Sequence, residues 1–167
     1  YTPALAGTTW VDVTGGPSGI YAAANTDDTG TIYHIGVSAT DGTLQTPIIG
    51  GELPQGEKIN DIKSYGGILL IATNIGLRTA LIDTSSNAVT IGPVIEDGGE
   101  AFCLDVDSKF VWWGAESGEL YRADLTKFTE TLVPAWASDI VSSAGSASDV
   151  QSIARLGSKT YFADKGN

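Results

Sequence analysis

Methionine is absent from this 167-residue sequence, cysteine and histidine occur once each, and only nine Lys and Arg stand against twenty Asp and Glu. Each scarcity excludes something. A single cysteine, Cys103, rules out an internal disulfide, and its place in an apolar run marks a buried thiol. A single histidine, His34, cannot supply a His-rich metal site, so a structural role beside Tyr33 and Ile35 is expected. The net charge of −11 repels nucleic acid phosphates and anionic lipid alike, which argues against both as partners. No apolar run approaches the length of a membrane span, and the start carries neither the basic flank nor the apolar centre of a signal peptide. No Gly-x-Ser-x-Gly elbow occurs, and Cys103 has no base near it in sequence, so nucleophilic hydrolysis is disfavoured. Nothing points to a cofactor.

What the chain has in quantity is glycine, 21 residues, and apolar residues, 42% of the total, with only 17% charged. That composition reads as β-rich, turn-rich and globular. The prolines Pro3, Pro47, Pro93 and Pro134 lie 44, 46 and 41 residues apart and mark the same place in a recurring unit. Each unit resolves into four strands. The first is Trp10–Val13, then Ile59–Ile62, Phe102–Val106 and Val150–Ile153, mostly with interleaved polar and apolar residues. The second is Ile20–Ala24, Ile68–Ala72, Phe110–Gly114 and Thr160–Ala163, continuously apolar, so both faces are expected to be covered. The third opens on Gly30, Gly76 or Gly118, each expected to supply a positive φ. The fourth contains the prolines, which cannot donate to a ladder and so belong at a sheet edge.

A covered second strand and a proline-marked outer edge, repeated about every 45 residues, are what a β-propeller blade requires. The fold class is therefore all-β, an arc of propeller with about three complete four-stranded blades and partial blades at both ends; an irregular β-sandwich is the competitor. Residues 8–50, 57–97 and 100–137 form the complete blades, 148–167 a partial one, and 1–6 the outer strand of a preceding or closing blade. The stretch from Pro134 to Asp149 reads as loop. Because the unit is interrupted at both ends, the expectation is a single domain that continues in a larger propeller.

The third copy carries a resemblance. Phe110-Val111-Trp112-Trp113-Gly114 leads into Gly118-Glu119-Leu120-Tyr121-Arg122-Ala123-Asp124-Leu125-Thr126-Lys127-Phe128-Thr129 and then Leu132-Val133-Pro134-Ala135-Trp136-Ala137-Ser138-Asp139. This succession resembles propeller-like regions of minor tail proteins of long-tailed bacteriophages, particularly those of actinobacterial hosts. It is concentrated in residues 102–139, with a weaker echo in 59–83 and 150–163. The resemblance implies a non-enzymatic virion component of the extracellular tail, partnered by other virion proteins and by the host surface, with cell-surface glycan as a candidate ligand.

Asp12, Asp61 and Asp105 occur in successive first strands and are the candidate ligand residues. In a propeller they would stand at similar heights near the axis, as a ring of acids suited to a cation or a sugar hydroxyl, or as solvated channel lining. Paired carboxylates are also what a glycosidase needs, so a carbohydrate-binding or glycan-degrading extracellular propeller is the alternative function. The turns Asp27-Asp28-Thr29-Gly30 and Glu96-Asp97-Gly98-Gly99 are acidic but lack the ligand spacing of a dedicated Ca²⁺ loop. Trp112 and Trp113 point to opposite faces of one strand, so at least one belongs to a core. Trp10, Tyr121 and Trp136 could form an aromatic platform for sugar rings, or pack between blades. An intracellular WD-type propeller is disfavoured because its Gly-His and Trp-Asp signatures are missing.

Overall fold

The computed structural model describes residues 7–96, 99–116, 118–127, 139–143 and 150–164. They are all-β, in four antiparallel sheets laid down in chain order, none closed on itself. Sheet 1 comprises β1 (Thr9–Gly16), β2 (Gly19–Asn25), β3 (Gly30–Ile35) and β4 (Ile48–Glu52). Sheet 2 comprises β5 (Ile59–Tyr65), β6 (Ile68–Thr73), β7 (Gly76–Ile82) and β8 (Val89–Glu96). Sheet 3 comprises β9 (Ala101–Val106), β10 (Phe110–Ala115), β11 (Glu119–Asp124) and β12 (Asp139–Ser143). Sheet 4 has β13 (Val150–Leu156) and β14 (Lys159–Asp164).

The apolar second strands explain the layering. All six residues of β6 are buried, because alternate side chains enter two different cores. Leu69 and Ile71 join Tyr21, Ile32, Ile59 and Ile62 between sheets 1 and 2. Leu70 joins Leu104, Trp113 and Tyr121 between sheets 2 and 3. A third cluster of Cys103, Trp112, Leu120, Val150 and Ile153 joins sheets 3 and 4. Each fully covered Leu, Ile or Val contributes on the order of 1.5 to 3 kcal/mol, so these clusters hold the sheets face to face. First strands adjoin one another along the stack, β1 on β5, β5 on β9 and β9 on β13, and β4 also meets β8. At that outer contact a Cβ on Gly51 would lie 2.5 Å from the Val89 carbonyl oxygen, so only glycine fits.

Turn chemistry also repeats. Beyond the third strand of each complete sheet comes Asp-x-Thr or Asp-x-Ser. The Oδ1 of Asp41 accepts from Thr43 N (3.1 Å) and Oγ1 (2.8 Å). Asp83 does the same with Ser85 (2.9 and 2.7 Å), and Asp124 with Thr126 (2.9 and 2.6 Å). Such side-chain turns reverse the chain locally.

Several expectations need correction. Gly76 and Gly118 have positive φ (136° and 73°), but Gly30 does not. Gly30 is required for space instead, since a Cβ there would meet Ile59 Cγ1 at 2.7 Å and Leu53 Cδ1 at 2.9 Å. The second strand is covered on both faces in sheets 1 to 3, but in β14 Tyr161 is 52% and Phe162 40% exposed, because no further described sheet lies against it. The outer strand of sheet 3 is Asp139–Ser143, beyond the 100–137 span and inside the stretch read as loop. Pro47 immediately precedes β4, and Pro93 lies in β8 where the register with β7 shifts between Arg78 and Ala80. Pro3 and Pro134 lie outside the described residues.

Candidate functional site

The first strand of every sheet carries a β-bulge at one equivalent position. Pairing with the second strand skips Val11 in sheet 1, Asn60 in sheet 2, Phe102 in sheet 3 and Gln151 in sheet 4. A bulge places one extra residue on its strand and re-aims the side chains that follow. The register then decides which residues are equivalent. Asp12 pairs with Ala23, Asp61 with Ala72, Cys103 with Gly114 and Ser152 with Ala163. Asp105 stands two residues further on, level with Thr14 and Lys63. The expected ring of Asp12, Asp61 and Asp105 is therefore not formed: the third sheet presents a thiol where the first two present carboxylates.

Asp12 and Asp61 are brought together, with Lys63 between them. Lys63 Nζ donates to Asp12 Oδ2 at 2.9 Å and to Asp61 Oδ1 at 2.7 Å. Asp12 Oδ2 also accepts from Ile62 N of sheet 2 (3.3 Å), and Asp61 Oδ2 from Leu104 N of sheet 3 (2.7 Å). Each aspartate thus binds a backbone N–H of the next sheet. Burial, reinforced by Asp12, pushes the Asp61 carboxyl up to about 6 despite Lys63. Burial also opposes ionisation of Asp12, but hydrogen bonds with Asp61, Lys63 and the Val13 backbone outweigh it and hold that carboxyl below its ordinary value. For Lys63 the penalty of burial is overcome by Asp61 and Asp12, which raise it. Two carboxyls driven apart in this way are an arrangement that acid–base catalysis can use. Here, however, Asp61 Oδ2 and Asp12 Oδ2 already serve contacts between sheets, and Asp61 Oδ1 is held by Lys63 of its own strand. Asp105 Oδ1 accepts from the adjacent Val106 N, at 2.9 Å.

The other sequence candidates are structural. His34 is 4% exposed, with Nε2 donating to the Ser18 carbonyl at 3.0 Å and its ring 5.3 Å from Tyr21. Burial raises the Cys103 thiol to about 11, and Sγ donates to the Val150 carbonyl at 3.3 Å. Trp113 stacks on Tyr121 in the core between sheets 2 and 3, while Trp112 is buried on the opposite face. Tyr121 is thus core, and Trp10 tilts against Tyr33 at 5.3 Å; Trp136 lies outside the described residues. In the first acidic turn, the Thr26 hydroxyl accepts from Thr29 N at 3.2 Å, while Asp97 and Gly98 of the second lie outside the described residues. Among the described residues no group of three or more His, Cys, Asp or Glu is placed to share a metal ion.

A second cluster went unrecognised in the sequence. At the junction of sheets 3 and 4, Asp107, Ser108, Lys109, Phe110, Trp112 and Arg122 on the sheet 3 side face Arg155, Gly157 and Ser158 on the sheet 4 side across a cleft of about 470 Å³. Arg155 lies 4.5 Å over the Trp112 ring, and Arg122 lies 4.9 Å over Phe110 and 5.6 Å over Trp112. Lys109 Nζ is 5.0 Å from the Phe110 centroid. Asp107 pairs with Arg155 and accepts from Trp112 Nε1 at 3.2 Å. Comparing the repeat copies position by position would have found it, since Arg122 stands where the other sheets have Thr79 and His34. No family model matches the chain, and no curated protein matches it.

Proposed function

We propose that the chain is an arc of β-propeller acting as a rigid scaffold in the tail of a long-tailed bacteriophage, in assembly or in contact with the host surface. The adjacent first strands and the succession of antiparallel sheets in chain order, each complete one with its four strands in sequence order, support the propeller reading, since blades pack face to face around an axis in this way. The observation that carries the scaffold reading is the use made of the inner polar row. Asp12 binds Ile62 N, Asp61 binds Leu104 N and Cys103 binds Val150 O, so each of these side chains fastens one sheet to the next. Groups committed in this manner are poor candidates for substrate chemistry. The tail assignment rests on the resemblance in residues 102–139.

Immunogold labelling of long-tailed particles of actinobacterial phages, with antibody raised against this chain, tests the assignment. Label at the distal tail is expected; particles that carry none would overturn it. Asp61→Asn and Asp105→Asn, assayed on a glycan panel, address the enzyme alternative. An unchanged profile is expected, and lost hydrolysis would replace the scaffold reading with a glycosidase.

A further inference from the structure

The cationic cleft between sheets 3 and 4 is not required by the repeat. Register through the strand pairs makes Trp112 equivalent to Leu70 and Tyr21, and makes Arg122 equivalent to Thr79 and His34. Arg155 stands where earlier sheets carry Gly15, Ser64 and Val106. The same two-sheet junction is thus built twice with neutral residues and once with two guanidinium groups. In a chain with nine Lys and Arg and a net charge of −11, three cations around one opening are a local reversal of sign.

The geometry also distinguishes this cluster from a plain ion pair. Arg155 bonds Asp107 through one terminal nitrogen, while its Nε is buried and has no hydrogen-bond partner among the described residues. A guanidinium offers five donors in a fixed fork suited to two oxygens of a carboxylate, sulfate or phosphate. The Trp112 and Phe110 rings lie against the guanidinium groups of Arg155 and Arg122, and such packing lowers the entropy lost when they grip a ligand. Lys109, whose side chain is 57% exposed and only 4.0 Å from Asp124, supplies a further charge at the rim. The volume lies within the range of about 300 to 1,000 Å³ typical of small-molecule sites.

We infer that this cleft binds a compact ligand carrying an oxyanion, such as a uronate, a sulfated sugar or a sugar phosphate, with Arg155 and Lys109 as its anion contacts. The inference goes beyond the scaffold reading and does not need it.

Isothermal titration of the intact chain at constant ionic strength, with sodium sulfate, inorganic phosphate, glucuronate and uncharged glucose as separate probes, tests it. Saturable binding of at least one oxyanion and none of glucose is expected, and the preferred probe tells which anion the ligand carries. Lys109→Gln should weaken that binding about threefold or more, and Arg155→Gln about tenfold or more with the circular dichroism of the chain unchanged. Absence of saturation with every oxyanion, equal binding of glucose, or an affinity indifferent to Lys109→Gln would overturn the inference. Should Arg155→Gln fail to fold, the surface variant at Lys109 decides alone. Failure here leaves the tail assignment standing, because labelling of virions does not depend on the cleft.

Discussion

Asn25 grips the backbone of Ile59 from the neighbouring sheet with both ends of its amide: Nδ2 donates to the Ile59 carbonyl at 2.8 Å, and Oδ1 accepts from the Ile59 N–H at 2.9 Å. Ile59 lies on β5, an edge strand of sheet 2, where one strand edge has no ladder neighbour within its own sheet. The side-chain amide substitutes for the missing strand. Buried backbone groups deprived of partners are costly, so Asn25→Ala should destabilise the fold by about 2 kcal/mol in urea denaturation. Asn25→Asp should cost at least as much, because it turns a carboxylate oxygen toward the Ile59 carbonyl. An aspartate tolerated better than alanine would contradict this account.

The Asp12–Lys63–Asp61 cluster predicts an uncommon pH profile. Asp61 is raised in the fold to about 6, so the folded state retains a proton that the unfolded chain releases near 3.8. Its contribution is complete below pH 4 and is lost as pH rises through 6, a change of about 3 kcal/mol. Asp12 is lowered and acts in the opposite sense, its contribution disappearing as pH falls below the ordinary carboxylate range. Stability from this cluster should therefore peak near or just below pH 4 and fall steadily from there to pH 6. Asp61→Asn keeps an acceptor for Leu104 N and removes the titration. Denaturation midpoints at pH 4 through 7 should converge on, then fall below, those of Asp61→Asn; parallel curves would refute the assignment.

Glu57 and Arg78 form a bidentate pair at 2.5 and 2.8 Å, with side chains 2% and 11% exposed, and Arg78 also donates to the Gly92 carbonyl at 2.7 Å. Glu57→Gln strands the arginine charge in the interior and should cost about 3 to 5 kcal/mol. Replacing both by Met should cost less than that single change. Thermal denaturation of the three variants measures the difference.

Gly114 controls the attachment of sheet 4. A Cβ there would come within 2.5 Å of Val150 Cβ and 2.6 Å of its carbonyl oxygen, a clash that no rotamer change relieves. Gly114→Ala should cost about 1 to 3 kcal/mol and selectively lower hydrogen-exchange protection in Val150–Asp164. Protection lost uniformly over all four sheets would instead mean that the sheets unfold as one unit.

Strand positions were largely legible because they depend on local signals: apolar runs, glycine turns and prolines recurring at a fixed interval. The run Ile68–Ala72 read as strand lies within β6 for that reason. The level of Asp105 was not legible. Asp105 is the acidic residue of its first strand as Asp61 is of its own, which suggests one level, but pairing with the second strands sets Cys103 level with Asp61. The strand Asp139–Ser143 was also missed, since its two apolar residues are flanked by a Ser-, Ala- and Gly-rich stretch that reads as loop. The cationic cleft draws on Lys109 just before β10, Arg122 on β11 and Arg155 on β13, which converge only where sheet 4 packs on sheet 3. By contrast, the Asp-x-Ser/Thr turns at Asp41, Asp83 and Asp124 could have been read from their place beyond each third strand, although the same triplet also stands at Asp12 and Asp27.

Among the described residues the principal contacts between sheets run from each sheet to the next, so the junctions lie in series, and a mechanical load along the stack would pass through every one of them. The first is tied by Asn25, Asp12 and Thr14, and the second by Asp61, Asn60 and Tyr65. At the third, the equivalent of those aspartates is a thiol, a weak donor, and the Asp107–Arg155 pair supplies most of the polar connection. Pulled from its two ends, the chain should part first between Gly114 and Val150, with rupture force falling as salt screens that ion pair.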